Sequence, residues 1–358
     1  MAGDKNEFAG VLEAIEGADR ALVAALDQRA RAVERYLELR VRSPQSYHAL
    51  PSRAEVVRGA LQEAQSFPRP ALEQVMREVL GACDAMIAPL RVAVLGSTGG
   101  FASVAARRHF GTSAELTEAD TISAVMDEVE RKRSSYGIVP FESSTDGSVG
   151  ETIEALISAE AKVCGEIVLP NSYHLVNRSG TAEEVEKVYA PSAAIVACER
   201  TVRRELPRAT LLDVQSVSVA TRLAAEDGTA AALIAVELDP ELPLRMVRER
   251  IEDRVGVSTR YFVVGHERPP RTGEDRTLLA VAVRDQPGSL YRALHPFADR
   301  GVNLTRIESR VTKVAGWRWI FLLELEGHVT DRPVLTTVEE VRAEARHLKV
   351  LGSYPRPA

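Results

Sequence analysis

Metal-binding and redox-active residues are scarce in this chain. Its 358 residues include three cysteines and seven histidines. Cys83, Cys164 and Cys198 stand far apart without metal-ligand spacing, so they read as reduced, mostly buried thiols. The histidines form no HxxxH pair, and no protein metal site is expected. There is no basic excess: 45 Lys and Arg against 51 Asp and Glu leave a net charge of -6, which argues against nucleic acid as the main partner. No apolar run is long enough to span a membrane. The segment Met1 to Glu16 is acidic and mixed, not basic then apolar, so no signal peptide is read and a cytoplasmic location is expected. What is present, 45% hydrophobic and 27% charged residues, fits a soluble globular protein of two or three domains.

Residues 8–88 lack strand alternation and read as three helices. The first is long, from Leu12 to Arg42, with a seam at Leu12, Ile15, Asp19, Leu22, Leu26, Arg29, Val33, Tyr36 and Arg40 in steps of three and four. Ser43-Pro44 ends it. A second helix starts near Pro51 with Ser52 as candidate N-cap, and a third runs from Ala71 to Ile87. Arg29 and Arg40 point the same way along the first helix, three turns apart. Inward-facing arginines need anionic partners: salt bridges to Asp19 or a glutamate, an escape of the charged tips to solvent, or a small dicarboxylate held between helices.

After Pro89 the period changes. Arg91 to Leu95 reads as a buried strand, followed by the glycine-rich loop Gly96–Gly100 and a helix from Ser103 to Phe110. A second unit repeats the pattern: strand Tyr136–Val139, a Ser/Gly-rich loop from Pro140 to Gly150, and a helix from Glu151. Either loop is a plain turn or, with the helix N-terminus behind it, an anion site. Alternating strands and helices continue to Val236, with Ser216-Val217-Ser218 opening another helix. Together they imply a doubly wound α/β domain, residues 91–265, whose middle segment forms a second lobe across a ligand cleft. Residues 266–275 read as a linker. Residues 276–355 follow the order βαββαβ of a ferredoxin-like module. Between the two modules lies Val257 to Gly265, which sets the hydroxyl of Thr259 beside the guanidinium of Arg260 at a strand start.

Several stretches now carry a resemblance. Val139-Pro140-Phe141-Glu142-Ser143-Ser144 resembles the P-I-E-N-S motif, and Ser258-Thr259-Arg260-Tyr261-Phe262 the T-R-F motif, of the bifunctional chorismate mutase–prephenate dehydratase family. Glu308-Ser309-Arg310 and Pro287-Gly288-Ser289-Leu290 resemble the E-S-R-P and G-A-L motifs of its ACT domain, and Leu348 to Pro355 resembles its ending. The resemblance implies a helical mutase-like domain at 8–88, a dehydratase domain at 91–265 and an ACT regulatory domain at 276–355. It implies that prephenate becomes phenylpyruvate, water and carbon dioxide without a cofactor. Thr259 and Glu142 are then the expected catalytic residues, and Arg260, Ser143, Ser216, Ser218 and Thr98 the expected substrate contacts. Arg29, Arg40 and Arg53 fall where the family's mutase pocket keeps cations. Gly288, Ser289, Leu290, Glu308, Ser309 and Arg310 would serve L-phenylalanine as effector. Homodimers or higher homo-oligomers are expected.

The chain also departs from that pattern. The family's cation near the start of helix one falls at Leu12, its helix-two glutamate at Ala54 and its helix-three Gln/Glu at Ile87. The helical part therefore either rearranges chorismate or serves as a dimerisation module. In the dehydratase part the family's Asn falls at Ser143, its S-H-P-Q segment at Ala190–Ala193, and its Asn before T-R-F at Val257. Dehydration of prephenate is the leading expectation. Decarboxylation without loss of the ring hydroxyl and non-catalytic sensing of phenylalanine remain alternatives.

Overall fold

The computed structural model describes the whole chain except residues 1, 43–52, 236–241, 312, 314–318 and 358, together with the backbone alone of residues 2–6, 40, 41 and 54. The expected helix stop at Ser43-Pro44 and the cap at Ser52 lie outside the described residues, as does the side chain of Arg40. Three helices open the chain: α1 (Ala2–Arg42), α2 (Arg53–Glu63) and α3 (Arg69–Ile87). Helix α1 begins ten residues before the expected Leu12 and stands out from the rest. Much of its seam is exposed, Leu12 at 61%, while Val33 is buried. Helix α3 docks on the next domain at Gly81, where a Cβ would stand 2.1 Å from the Phe110 carbonyl oxygen, so the close approach requires glycine.

The α/β region follows as β1 (Arg91–Leu95), α4 (Phe101–Phe110), β2 (Glu115–Ala119), α5 (Ile122–Glu130), β3 (Tyr136–Ser143), β4 (Gly147–Ser148), α6 (Gly150–Ser158) and β5 (Lys162–Pro170). The chain then leaves this lobe. It builds β6 (His174–Asn177), β7 (Lys187–Ala190), α7 (Ser192–Glu205), β8 (Thr210–Asp213), α8 (Val217–Glu226), β9 (Ala230–Ile234) and β10 (Arg245–Arg248), and returns as β11 (Ser258–Gly265). The inserted middle segment is thus a second lobe, with its own sheet in the order β10-β6-β9-β7-β8. The strand β2 and the helix α5 were not legible as separate elements. Glu115-Leu116-Thr117-Glu118-Ala119 is polar because β2 is a sheet edge, paired only with β1.

The C-terminal module comprises β12 (Asp275–Ala282), α9 (Ser289–Asp299), β13 (Leu304–Val311), β14 (Trp319–Glu326), α10 (Arg332–Glu344) and β15 (His347–Pro355). Its sheet does not stand apart. The first-lobe strands and the C-terminal strands form one ten-stranded sheet in the order β13-β14-β12-β15-β5-β11-β3-β1-β2, with β4 beside β3. The seam is a parallel contact of Gly352 with Val163. A Cβ at Gly352 would lie 2.2 Å from the Val163 carbonyl oxygen, so only glycine lets β15 meet β5 there. One apolar core crosses the seam, from Phe141, Val163 and Phe262 to Leu278, Leu322 and Tyr354. Among the described residues, no helix is long and apolar enough to cross a membrane.

Helix α2 is tied to this body through Arg53, which bonds Asp84 of α3 (Nε–Oδ2 3.0 Å) and the His109 carbonyl (3.2 Å) and lies over the Phe110 ring. Burial, then the charges of Arg77 and Arg53, pull the His109 imidazole from 6.5 down to about 3. Below pH 6.5 the unfolded chain therefore takes up a proton that the folded chain refuses, and stability falls as pH drops from 6.5 towards about 3. Urea midpoints measured between about pH 7 and 4 should show a slope on the order of 1 kcal/mol per pH unit from this residue, which His109→Gln removes. An unchanged slope in the variant would refute the assignment.

Candidate active site

Thr259 lies at the head of β11, which runs antiparallel between β3 and β5 with Thr259 opposite Ser143 and Leu169. Successive side chains of a strand leave opposite faces. Thr259, Tyr261 and Val263 accordingly turn to the face packed on α4, with Tyr261 and Val263 in a core with Ile138, Ile167 and Leu169. Arg260, Phe262 and Val264 turn the other way, Phe262 and Val264 into the core shared with the C-terminal module.

Thr259 is 8% exposed, and its hydroxyl accepts a hydrogen bond from Asn171 Nδ2 at 2.9 Å. Asn171 follows the last residue of β5 and extends its pairing, its amide donating to the Val257 carbonyl at 2.8 Å. Two residues on stands Tyr173, whose N–H donates to the buried Glu252 carboxylate at 3.0 Å and whose ring meets Phe101 edge-on at 5.1 Å. Burial, then neighbouring Tyr173, push the Tyr261 phenol well above its ordinary value, against a pull from the Thr259 side chain. Burial likewise raises the Tyr173 phenol. Both phenols are therefore held in the neutral form.

The β1–α4 loop reaches the second lobe. Ser218 Oγ donates to the Thr98 carbonyl at 3.2 Å, and a Cβ on Gly99 would be 3.3 Å from Val217. Gly99 has φ +89°, which favours glycine. Ser216 caps α8, its Oγ accepting the Val219 N–H at 3.3 Å. The loop's own amides are partly engaged: Thr98 N–H donates to Glu118 at 2.5 Å and Gly99 N–H to Ser103 Oγ at 2.9 Å. Hydrogen bonds from Thr98 in turn hold the Glu118 carboxyl below its usual range. In the β3–β4 turn, the Ser143 hydroxyl meets Thr145 Oγ1 (2.9 Å) and Asp146 (3.2 Å), while Ser144 Oγ accepts the Ser258 N–H at 3.1 Å. This turn clamps the head of β11.

Arg260 and Glu142 are not in this wall. They are cross-strand neighbours on the opposite face. Arg260 binds Glu166 (Nε–Oε2 2.6 Å) and Glu324 (2.8 Å), reaches Tyr354 Oη at 3.4 Å, and lies beside the stacked Phe141 and Phe262 rings. Glu166, with no side-chain exposure, is also bound by Arg276 at 2.6 Å. Burial opposes the Arg260 charge, but Tyr354, Glu166 and Glu324 hold its guanidinium above its ordinary value. Glu142 pairs with Arg306 of β13 at 2.6 Å. Arg260 was expected at a substrate carboxylate and Glu142 beside Thr259; strand alternation directs both side chains to the joint with the C-terminal module.

Glu308 and Arg310 join the same network. Ser148 Oγ donates to Glu308 at 2.5 Å, and Arg310 donates to the Ser148 carbonyl at 3.3 Å. Ser309 between them is exposed on the other face of β13, with Ile307 and Val311. Gly288, at φ +79°, is the N-cap of α9; Ser289 Oγ bonds Arg292 at 3.0 Å, and Leu290 is half-buried in the first turn. In the helical part, Arg53 is occupied by Asp84, while Arg29 Nη1 is buried without a hydrogen-bond partner among the described residues. Asn171, Tyr173, Glu166 and Arg306 were not legible beforehand: each acts through a partner between 79 and 164 residues away in sequence.

Similarity to known proteins follows the same division. The prephenate dehydratase family profile matches residues 92–269 and the ACT domain profile residues 277–343. The chain is 37% identical to the bifunctional chorismate mutase/prephenate dehydratase of Aquifex aeolicus over 290 residues, 81% of this chain and 80% of that one. It is 35% identical to the protein of that name from Neisseria gonorrhoeae, over 85% of this chain and 86% of the relative. Among solved structures, a prephenate dehydratase from Arthrobacter aurescens in complex with L-Phe aligns with a TM-score of 0.64 at 29% identity, covering 74% of this chain and 90% of that one.

Removing the Arg260 guanidinium leaves two buried carboxylates short of a partner. Arg260→Met should destabilise the first unfolding transition by about 3–5 kcal/mol in urea denaturation. A loss within about 0.5 kcal/mol, typical of an exposed residue, would contradict the buried network.

Proposed function

The chain belongs to the prephenate dehydratase family and carries an ACT domain, and on that premise we propose that Thr259 protonates the ring hydroxyl of prephenate as it departs. The protein is an enzyme, a lyase. In the reaction the bond from the ring to its carboxyl group breaks, and carbon dioxide leaves. Its electron pair enters the ring, which becomes aromatic, and the carbon–oxygen bond to the hydroxyl breaks with its pair on oxygen. That oxygen takes the Thr259 proton and leaves as water, and solvent returns a proton to Oγ1. A threonine is a weak acid, so this transfer needs donors placed around the developing charge and water kept out. The observation that carries the reading is the position of Thr259, nearly buried at the head of β11, at the sheet end where β1 and β3 finish.

With Arg260 committed elsewhere, we assign the two substrate carboxylates to amide and hydroxyl donors where the lobes meet, at Thr98, Ser216 and Ser218. Helix N-termini suit such anions. L-phenylalanine is the effector we assign to the ACT domain. The Arthrobacter structure holds that amino acid, and here Glu308 and Arg310 touch the turn that clamps β11.

Purified protein given prephenate should produce phenylpyruvate, seen by its ultraviolet absorbance. Thr259→Ala should lower kcat by roughly 10²–10⁴-fold, the usual range for a lost general acid. Added phenylalanine should change the wild-type rate. Parallel assays with chorismate should show little turnover, because Asp84 neutralises Arg53 and Ile87 offers no donor. A wild-type-like Thr259→Ala variant would refute the role of Thr259. Absence of product in the wild type would refute the dehydratase reading of this chain.

The helical part serves, in our reading, to pair two copies. Phe8, Leu12, Ile15, Leu22, Val23 and Leu26 are all exposed along α1, a patch that a single chain leaves in water. Light scattering should give at least twice the 39.1 kDa chain mass, and Leu22→Asp with Leu26→Asp should reduce it. A wild-type protein that scatters as a monomer would exclude this pairing.

A further inference from the structure

Two features of Asn171 are unexplained by packing. Its Nδ2 donates to Thr259 Oγ1 at 2.9 Å, and its Oδ1 is buried without a hydrogen-bond partner among the described residues. A buried unpaired acceptor is unfavourable, so polar atoms left in that state mark places where something else supplies the missing bond. The backbone of Asn171 does not need this side chain: its N–H already closes the strand pairing on the Val257 carbonyl.

We infer that Asn171 is the positioning residue of Thr259, setting its hydroxyl by an N–H bond and presenting Oδ1 to the reacting ring hydroxyl. The inference rests on the role of Thr259 proposed above. A hydroxyl can donate one hydrogen bond and accept two. Here Asn171 fills an acceptor site of Oγ1, so the Thr259 proton is not spent on Asn171 and can go to the substrate oxygen. The same N–H then faces the negative charge that builds on Oγ1 while the proton moves, a fixed donor aimed at developing charge. The second half concerns the leaving oxygen. That oxygen receives the Thr259 proton and still carries its own hydrogen, for which Oδ1 is an acceptor. The departing water is thereby held at both ends, with no oxidant or further reactant required.

The two halves separate experimentally. Asn171→Asp keeps the shape and an acceptor but turns the donor into a carboxylate that draws the Thr259 proton towards itself. It should lower kcat by roughly 10- to 100-fold at neutral pH with KM nearly unchanged, and kcat should recover as pH falls and the introduced carboxyl is protonated. Asn171→Ala should lower kcat similarly and raise KM as well. In the Thr259→Ala background, Asn171→Ala should lower kcat clearly less than it does in the wild type, because the part of its role that runs through the hydroxyl is already gone. Near-ultraviolet circular dichroism on each variant checks that the fold is kept. Three results would overturn the inference: Asn171→Asp with wild-type kcat at neutral pH, a loss that does not recover on acidification, or a full additional loss in the double variant. If Thr259→Ala abolishes turnover while both Asn171 variants behave as wild type, the assignment of Asn171 fails and that of Thr259 stands; a wild-type-like Thr259→Ala fails both.

Discussion

The ion pair between Arg260 and Glu166 is the contact from which the rest of the structure follows. Its carboxylate has no side-chain exposure and its guanidinium very little, and a buried charge is tolerable only when it is matched. Glu166 is on β5, Arg260 on β11, and their further partners Arg276 and Glu324 are on β12 and β14. The pair therefore fixes the register of the first-lobe sheet against the C-terminal sheet, and Gly352 lets the strands meet. Ion pairs of this kind specify an arrangement more surely than they stabilise it; the shared apolar core from Phe262 to Leu322 and Tyr354 supplies the burial.

The same contact decides what the cleft can contain. One strand, β11, must serve two faces. With Arg260 turned to the joint, Thr259 has to turn to the α4 side, and Glu142, opposite Arg260, has to follow Arg260 away. The strand that carries Thr259 is thus tied to the C-terminal module by the Arg260–Glu324 ion pair, and β4, behind the turn that clamps its head, touches Glu308 and Arg310 through Ser148. Interlocking of this sort leaves few ways for one module to shift without the other.

Sequence periodicity was a good guide wherever an element's neighbours are near in the chain. The ferredoxin-like order, the inserted lobe and the strands His174–Asn177 and Trp319–Glu326 were all legible, because alternation and turn residues report local geometry. The polar edge strand β2 was not, since an edge need not be apolar. Adjacency also misled: Thr259 and Arg260 touch in sequence and part in space. The apolar side of α1 was legible as a seam, yet which surface covers it is not a property of one chain.

Position in space can preserve what position in sequence loses. By resemblance, an asparagine is expected just ahead of the Thr-Arg pair, where this chain has Val257. The Val257 carbonyl is the acceptor for the Asn171 amide, so the side-chain amide absent from one strand stands on the strand beside it. From there it reaches the Thr259 hydroxyl at 2.9 Å. Motif by motif, the chain looks depleted of polar groups. Mapped onto two hydrogen-bonded strands, the depletion around Thr259 is smaller, because a donor needs the right distance and direction and not a particular residue number. A site judged from sequence departures alone is therefore underestimated wherever a paired strand can return the missing group.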